Sequence, residues 1–251
     1  MLTKSSRTSA TMMKLHILGC GDAFGSGGRH QSSYLIESSD RLFLLDCGST
    51  TLLAMKRAGF DPRRLDAVIL SHLHGDHFAG LPFIFIDFLY RQPKNTPIII
   101  AGPPRTEEKV RGLWQIMYGG GANKELPPVD FQILSPDQPT EVAGIDVRPF
   151  RVAHQSDEIS LGLKIVCDGK QVLFSGDSLW TEDFIERARG VDLFSANARF
   201  TANNPACMSI LKRCKPTWRA SPAANCCSLT WAKKCSPAAM NSASSARRMA
   251  W

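Results

Sequence analysis

Four side chains able to bind a divalent cation stand within six residues. They are His72, His74, Asp76 and His77, in Ser71-His72-Leu73-His74-Gly75-Asp76-His77. The apolar run Ala67-Val68-Ile69-Leu70 comes directly before them. Alternate residues of an extended chain project to the same side, so a strand continuing past Leu70 aims His72 and His74 at one point. Gly75 then lets the chain turn, and Asp76 and His77 can address a second point. Imidazole with carboxylate and no thiolate suits zinc, iron or manganese used for hydrolysis better than a structural Cys site. A solvated polar loop seldom concentrates three His and one Asp in so short a stretch, so metal-assisted chemistry is the first expectation.

The elements that must carry these groups read as alternating strands and helices. Strands are expected at 14–18, 33–37, 41–46, 67–70, 97–101, 129–134, 145–152, 160–166 and 171–175, with another beginning at 191–194. Helices are expected at 50–58, stopped by Gly59, and at 77–90 despite Pro82, 105–118 and 181–189. Strands first in runs and then between helices fit a layered α/β sandwich. Gly19-Cys20-Gly21-Asp22-Ala23-Phe24-Gly25 follows a strand, as a dinucleotide-binding turn would. Its third Gly falls one position late and no helical pattern follows, so a Gly-rich turn beneath the site is the better reading.

A chain of 251 residues can bury a core within one domain. No apolar run is long enough to span a membrane, and no membrane partner is expected. The first dozen residues are polar and basic, without the apolar stretch of a signal peptide. They read as an extension before a start at Met12 or Met13, and the expected location is cytoplasmic. The net charge of +7 suggests nucleic acid until its distribution is seen. Residues 195–251 hold nine Lys or Arg and no Asp or Glu, leaving 21 basic against 23 acidic residues in the rest. Five of the eight Cys also lie there, at 207, 214, 226, 227 and 235, without zinc-knuckle spacing.

The motif resembles the signature His-x-His-x-Asp-His of the metallo-β-lactamase superfamily. The likeness extends to Leu18-Gly19-Cys20-Gly21, Leu44-Leu45-Asp46-Cys47-Gly48, Gly80-Leu81-Pro82, His154 ahead of Leu161-Gly162-Leu163, and Ser175-Gly176-Asp177-Ser178. In that order the motifs are most similar to the ribonuclease Z branch, over residues 13–194. The resemblance implies an αββα sandwich with a two-metal site, zinc first and manganese or iron as alternatives, at one edge of the paired sheets. It implies that His72, His74 and His154 hold one ion, that Asp76 and His77 hold the other, and that Asp177 bridges. Asp76 would also serve as general base. Asp46 would orient a ligand His rather than bind an ion itself. His16 is read as structural, and His30 as lying near the site mouth.

After Phe194 the alternating pattern stops, and two readings compete for the tail. One is a basic arm that binds RNA. The other, which we prefer, is translation out of frame. Joining the third base of each codon to the first two of the next permits Leu-Leu-Leu-Thr-His-Leu-Gly-Glu-Glu-Met-Leu around Leu229 to Ser236. That is an apolar strand ending in Thr-His, where the family places its last metal-binding His. The expected organisation is therefore an extension at 1–12, a hydrolase domain at 13–194 and a frameshifted tail at 195–251.

Two function classes follow. The first is a metal-dependent hydrolase acting on phosphodiesters or RNA, with carboxylic esters, lactones or thioesters as the alternative on the same fold. The second is a metal-binding protein whose catalysis is impaired by the missing last His. Residues 119–128 are too few for the long Gly-rich arm with which ribonuclease Z relatives hold tRNA, which keeps a small phosphodiester, or a carboxylic ester or lactone, open as the substrate. The resemblance also implies a homodimer.

Overall fold

A computed structural model describes residues 13–91, 96–119, 125–199 and 229–232. It forms an αββα sandwich of two six-stranded sheets. The first sheet has the order β1(Lys14–Gly19), β2(Ser33–Glu37), β3(Leu42–Leu45), β4(Ala67–Ile69), β5(Ile98–Gly102), β6(Val129–Ile133). Its first three strands are antiparallel, and β3 to β6 run parallel. The second comprises β7(Thr140–Val142), β8(Ile145–Arg151), β9(Leu161–Cys167), β10(Lys170–Leu179), β11(Leu193–Arg199) and β12(Leu229–Ala232), each beside the next. Among the described residues only β10 and β11 pair in parallel there.

Side-chain alternation assigns each strand residue to one of two apolar layers. Tyr34 and Ile36 of β2, Phe43 and Leu45 of β3, and Ala67 and Ile69 of β4 face the second sheet. There they meet Val147, Leu163, Ile165, Val172 and Phe174. The intervening Leu35, Leu44 and Val68 face the opposite way, toward the helices. These are α1(Thr51–Arg57), α3(Leu81–Tyr90) and α4(Thr106–Tyr118), which bring Met55, Ile84, Phe85, Phe88, Val110 and Trp114. Strands covered on both faces read as continuous apolar runs, as β2 to β4 do. The outer face of the second sheet is covered by the short α5(Asp183–Arg187), whose Phe184 packs with Phe150, Leu173 and Phe194.

Several expected boundaries shift for identifiable reasons. The strand expected at 41–46 stops at Leu45 because Asp46 adopts φ 59, in the left-handed region. The single helix expected at 77–90 is two: α2(Gly75–Phe78) and α3, separated at Ala79 and Gly80. At Gly80 a Cβ would lie 2.1 Å from the Gly48 carbonyl oxygen, so the backbone itself seats the Asp46–Gly48 turn against the motif. The strand expected to end at Ser175 runs on to Leu179 across a register shift between Phe174 and Asp177. Asp177 therefore lies inside a bulged strand rather than beyond the strand's end. β7 was not anticipated: Thr-Glu-Val with one buried residue carries too little pattern.

β11 also passes the boundary set at Phe194 and continues to Arg199, with β12 paired against it. The expected extension at 1–12 and the rest of the expected tail lie outside the described residues. Among the described residues no helix is long and apolar enough to cross a membrane.

Candidate metal centre

The candidate groups come from both sheets and meet at one sandwich edge. Beyond β4 the chain stays extended through Leu70, whose N–H donates to the Ala101 carbonyl at 2.7 Å. Ser71 then ties the sheets together. Its N–H donates to Asp46 Oδ1 at 2.8 Å, and its carbonyl accepts the Leu161 N–H of β9 at 2.9 Å. His72 and His74 follow as the alternating pair, and α2 begins at Gly75 and carries Asp76 and His77. From the second sheet, His154 stands just beyond β8, and Asp177 follows the bulge glycine of β10. Gly176 has φ 55, and a Cβ there would lie 2.9 Å from Ser71 Cβ, so only glycine lets the sheets approach this closely.

Three imidazole nitrogens converge. His74 Nδ1 lies 3.1 Å from His72 Nε2 and 3.0 Å from His154 Nε2. A second group gathers His72, His77 and Asp177, and in each group the ligand-type atoms all lie within 4.8 Å of one another. His77 Nε2 is 3.3 Å from Asp177 Oδ1 and 3.5 Å from Asp76 Oδ2. Asp177 Oδ2 lies 3.9 Å from His154 Nε2, so its carboxylate faces both groups. Asp76 is not a member of either tight group, although its carboxylate borders the second. The structure thus brings together His72, His74, His77, His154 and Asp177, with Asp76 adjoining.

The electrostatics suit a cation. Burial and the neighbouring imidazoles push the His72 pKa far down, leaving it neutral, the form that donates a lone pair to a metal. Burial works against a charged His77, but Asp46 and Asp177 overcome it and raise that pKa. Burial works to raise the Asp177 pKa, yet His77, His154 and His74 hold it below the usual carboxylate value. His77 Nε2 is buried and makes no hydrogen bond of good geometry, standing against the Asp177 and Asp76 carboxylates as an ion-pair contact. Once its proton is lost, Nε2 would offer its lone pair between two carboxylates, where a bound cation would take the proton's place. Cys47, fully buried beside Asp46, has its thiol pushed up to about 12, chiefly by burial, and is no ligand.

The surrounding hydrogen bonds show why the rings are held as they are. Asp46 Oδ2 lies 2.7 Å from His77 Nδ1 and accepts from Ser71 Oγ at 2.9 Å. Ser71 Oγ is in turn 3.0 Å from His72 Nδ1. One carboxylate thereby orients His77 directly and His72 through a hydroxyl, leaving both Nε2 atoms to face the centre. The sequence reading found Asp46 but missed Ser71, and also Gln155, whose carboxamide lies 2.7 Å from His74 Nε2. The position of Ser71 directly before the motif was the available signal for it. His30 is not among the clustered rings; its carbonyl accepts the Gly21 N–H at 2.7 Å. His16 stands apart, against Phe60 at 4.8 Å between ring centroids.

With this geometry established, comparison with known proteins places the chain. The family model of the anti-Pycsar protein Apyc1 matches residues 13–206. The chain belongs to that family. It is a metallo-β-lactamase-fold protein related to ribonuclease Z, in agreement with the motif order. Ribonuclease Z of Bradyrhizobium diazoefficiens is 32% identical over 150 residues, 59% of this chain and 48% of that protein. The match therefore spans about half the length of that relative. Ribonuclease Z of Anoxybacillus flavithermus is 27% identical over 238 residues, 76% of each chain. The metallo-β-lactamase-fold protein YhfI from Bacillus subtilis superposes with a TM-score of 0.59 at 25% identity, covering 72% of this chain and 69% of that one.

Proposed function

We propose that this member of the Apyc1 family is a metal-dependent phosphodiester hydrolase with a two-ion site. The observation that carries the reading is the convergence of His72, His74 and His154 beside a second group of His72, His77 and Asp177, with the buried His77 Nε2 facing the Asp76 and Asp177 carboxylates. His72, His74 and His154 would hold one ion, Asp76 and His77 the other, and Asp177 both. Zinc is the first choice, with manganese or iron as alternatives for the same nitrogen and oxygen donors. Bound in pairs, such ions supply Lewis acidity and water acidified to a pKa of about 7.

The residues themselves do the positioning. Asp46 and Ser71 fix the rings of His77 and His72, and Asp177 counters the cationic charge on both sides. The Asp76 carboxylate would take the proton of the attacking water. A small phosphodiester is favoured over tRNA, because α4 ends at Tyr118 and β6 begins at Val129, leaving no room for a long arm. Opposition to Pycsar, the property in the family's description, is proposed on membership alone. A homodimer belongs to the same proposal.

Protein with its reading frame restored, supplied with zinc or manganese, is expected to hydrolyse bis-p-nitrophenyl phosphate and to lose that activity to a chelator. Turnover confined to lactones or thioesters would transfer the chemistry to the carboxyl-ester alternative. The tail enters as a separate proposal, that residues 195–251 are read out of frame. Sequencing the gene across the codons for Leu193 to Asn197 is expected to reveal one inserted or deleted base. A clean reading in the present frame overturns this, and the nine uncompensated basic residues then call for an RNA-binding titration across salt concentrations.

A further inference from the structure

Gln155 follows His154 in the chain but addresses the opposite edge of the His74 ring. His154 Nε2 is 3.0 Å from His74 Nδ1, and Gln155 Nε2 is 2.7 Å from His74 Nε2. One short loop therefore touches both nitrogens of a single imidazole. That loop, residues 153–160, is well held. Val152 N–H donates to the Ser160 carbonyl at 3.0 Å, and Leu179 N–H to the Ala153 carbonyl at 2.8 Å. Glu158 accepts from Arg105 at 2.9 Å and from Lys109 at 2.7 Å, anchoring the loop to the start of α4.

His74 differs from the other clustered rings in offering Nδ1, rather than Nε2, to the centre. A neutral imidazole carries one proton. If Nδ1 is to bind a cation, that proton must sit on Nε2 and needs an acceptor there. If no cation is present, Nδ1 can keep the proton and share it with His72 or His154, and Nε2 then needs a donor. A carboxamide can be either, because its two ends differ in role and little in shape. The far end of the Gln155 amide meets Ser160 Oγ, 3.1 Å from Oε1, and a hydroxyl can donate to oxygen or accept from nitrogen. Both amide orientations are thus satisfied at both ends.

We propose that Gln155 is a positioning residue that sets the tautomer of His74, presenting its amide nitrogen to the ring in the ion-free protein and its oxygen when an ion is held. The proposal rests on the metal reading above. It accounts for a neutral amide at this position: a carboxylate could serve only the loaded state, and an apolar side chain neither.

The test uses the full chain labelled with ¹⁵N-histidine, as wild type, Gln155→Glu and Gln155→Leu. Imidazole nitrogen spectra are recorded without and with zinc, and zinc affinity is measured by competition with a chromophoric chelator. Wild type is expected to carry the His74 proton on Nδ1 without zinc and on Nε2 with it. Gln155→Glu is expected to hold it on Nε2 in both states and to keep zinc binding. Gln155→Leu is expected to lose about 10–100-fold in zinc affinity, the usual cost of removing an outer partner of a ligand. Equal affinity in wild type and Gln155→Leu, or an identical zinc-free tautomer in wild type and Gln155→Glu, overturns the proposal. Failure of wild type to bind zinc overturns the metal reading instead, and the zinc-free spectra still decide the role of Gln155.

Discussion

In the frame-restored protein an Asp76→Ala variant is expected to lose about 10²–10⁴-fold in turnover of bis-p-nitrophenyl phosphate while keeping its fold, the range that a positioned general base contributes. Asp76 combines two proposed roles, ligand and proton acceptor, in one buried carboxylate 3.5 Å from His77 Nε2. The backbone around it does not depend on that carboxylate. The α2 turn is closed by the His77 and Phe78 N–H groups donating to the His74 carbonyl at 2.9 and 3.2 Å. Far-UV circular dichroism should therefore match wild type while the rate falls. Asp76→Asn divides the roles, since an amide oxygen can still face a cation but cannot take a proton at neutral pH. Wild-type turnover in Asp76→Ala would place the chemistry elsewhere.

Asp46→Ala should produce the largest combined loss of stability and metal affinity. Its carboxylate is fully buried and serves Ser71 N–H, Ser71 Oγ and His77 Nδ1 at 2.8, 2.9 and 2.7 Å. Truncation leaves His77 Nδ1 and the Ser71 N–H without the partner they have in wild type, and breaking a buried charged pair costs about 3–5 kcal/mol. Alanine also fits the φ of 59 less readily than aspartate. Because His72 hangs on Asp46 through Ser71 and His77 hangs on it directly, affinity at both ion positions should fall, by about 10–100-fold. Urea denaturation and zinc titration of the same preparation measure the two effects. Unchanged values in both would remove Asp46 from the centre, whereas loss at one ion only would show that the hydroxyl link does not transmit.

How much of this was legible in the sequence depended on how local the cause was. His72 and His74 could be paired because alternation in an extended chain is a property of neighbouring residues. The apolar runs of β2, β3 and β4 were legible because both their faces are buried. The break between α2 and α3 was not, since its cause is the Gly48 carbonyl lying against Gly80, two segments apart in the chain. The Ser175-Gly176-Asp177 stretch reads locally as a turn, and only the packing of Ser71 and Leu161 against Gly176 makes it a bulge. Gln155 is an ordinary polar residue in sequence, and its partner His74 lies 81 positions away. His154 and Asp177 were named through the family motif, for nothing in their own neighbourhoods distinguishes a ligand from a surface group.

The placement of the clustered side chains on two different sheets has a consequence for the polymer. His72, His74 and His77 follow β4 of the first sheet, whereas His154 follows β8 of the second and Asp177 lies in its β10. An ion shared among them is a cross-link that closes a loop of 80 residues between His74 and His154. By chain-entropy reckoning, a covalent tie over that span restricts the unfolded ensemble by about 4–5 kcal/mol. A coordinate bond resembles such a tie in topology but is set by the free ion concentration. The two halves of the sandwich would then part only as the ion leaves, making catalytic readiness and mechanical closure of the domain a single equilibrium.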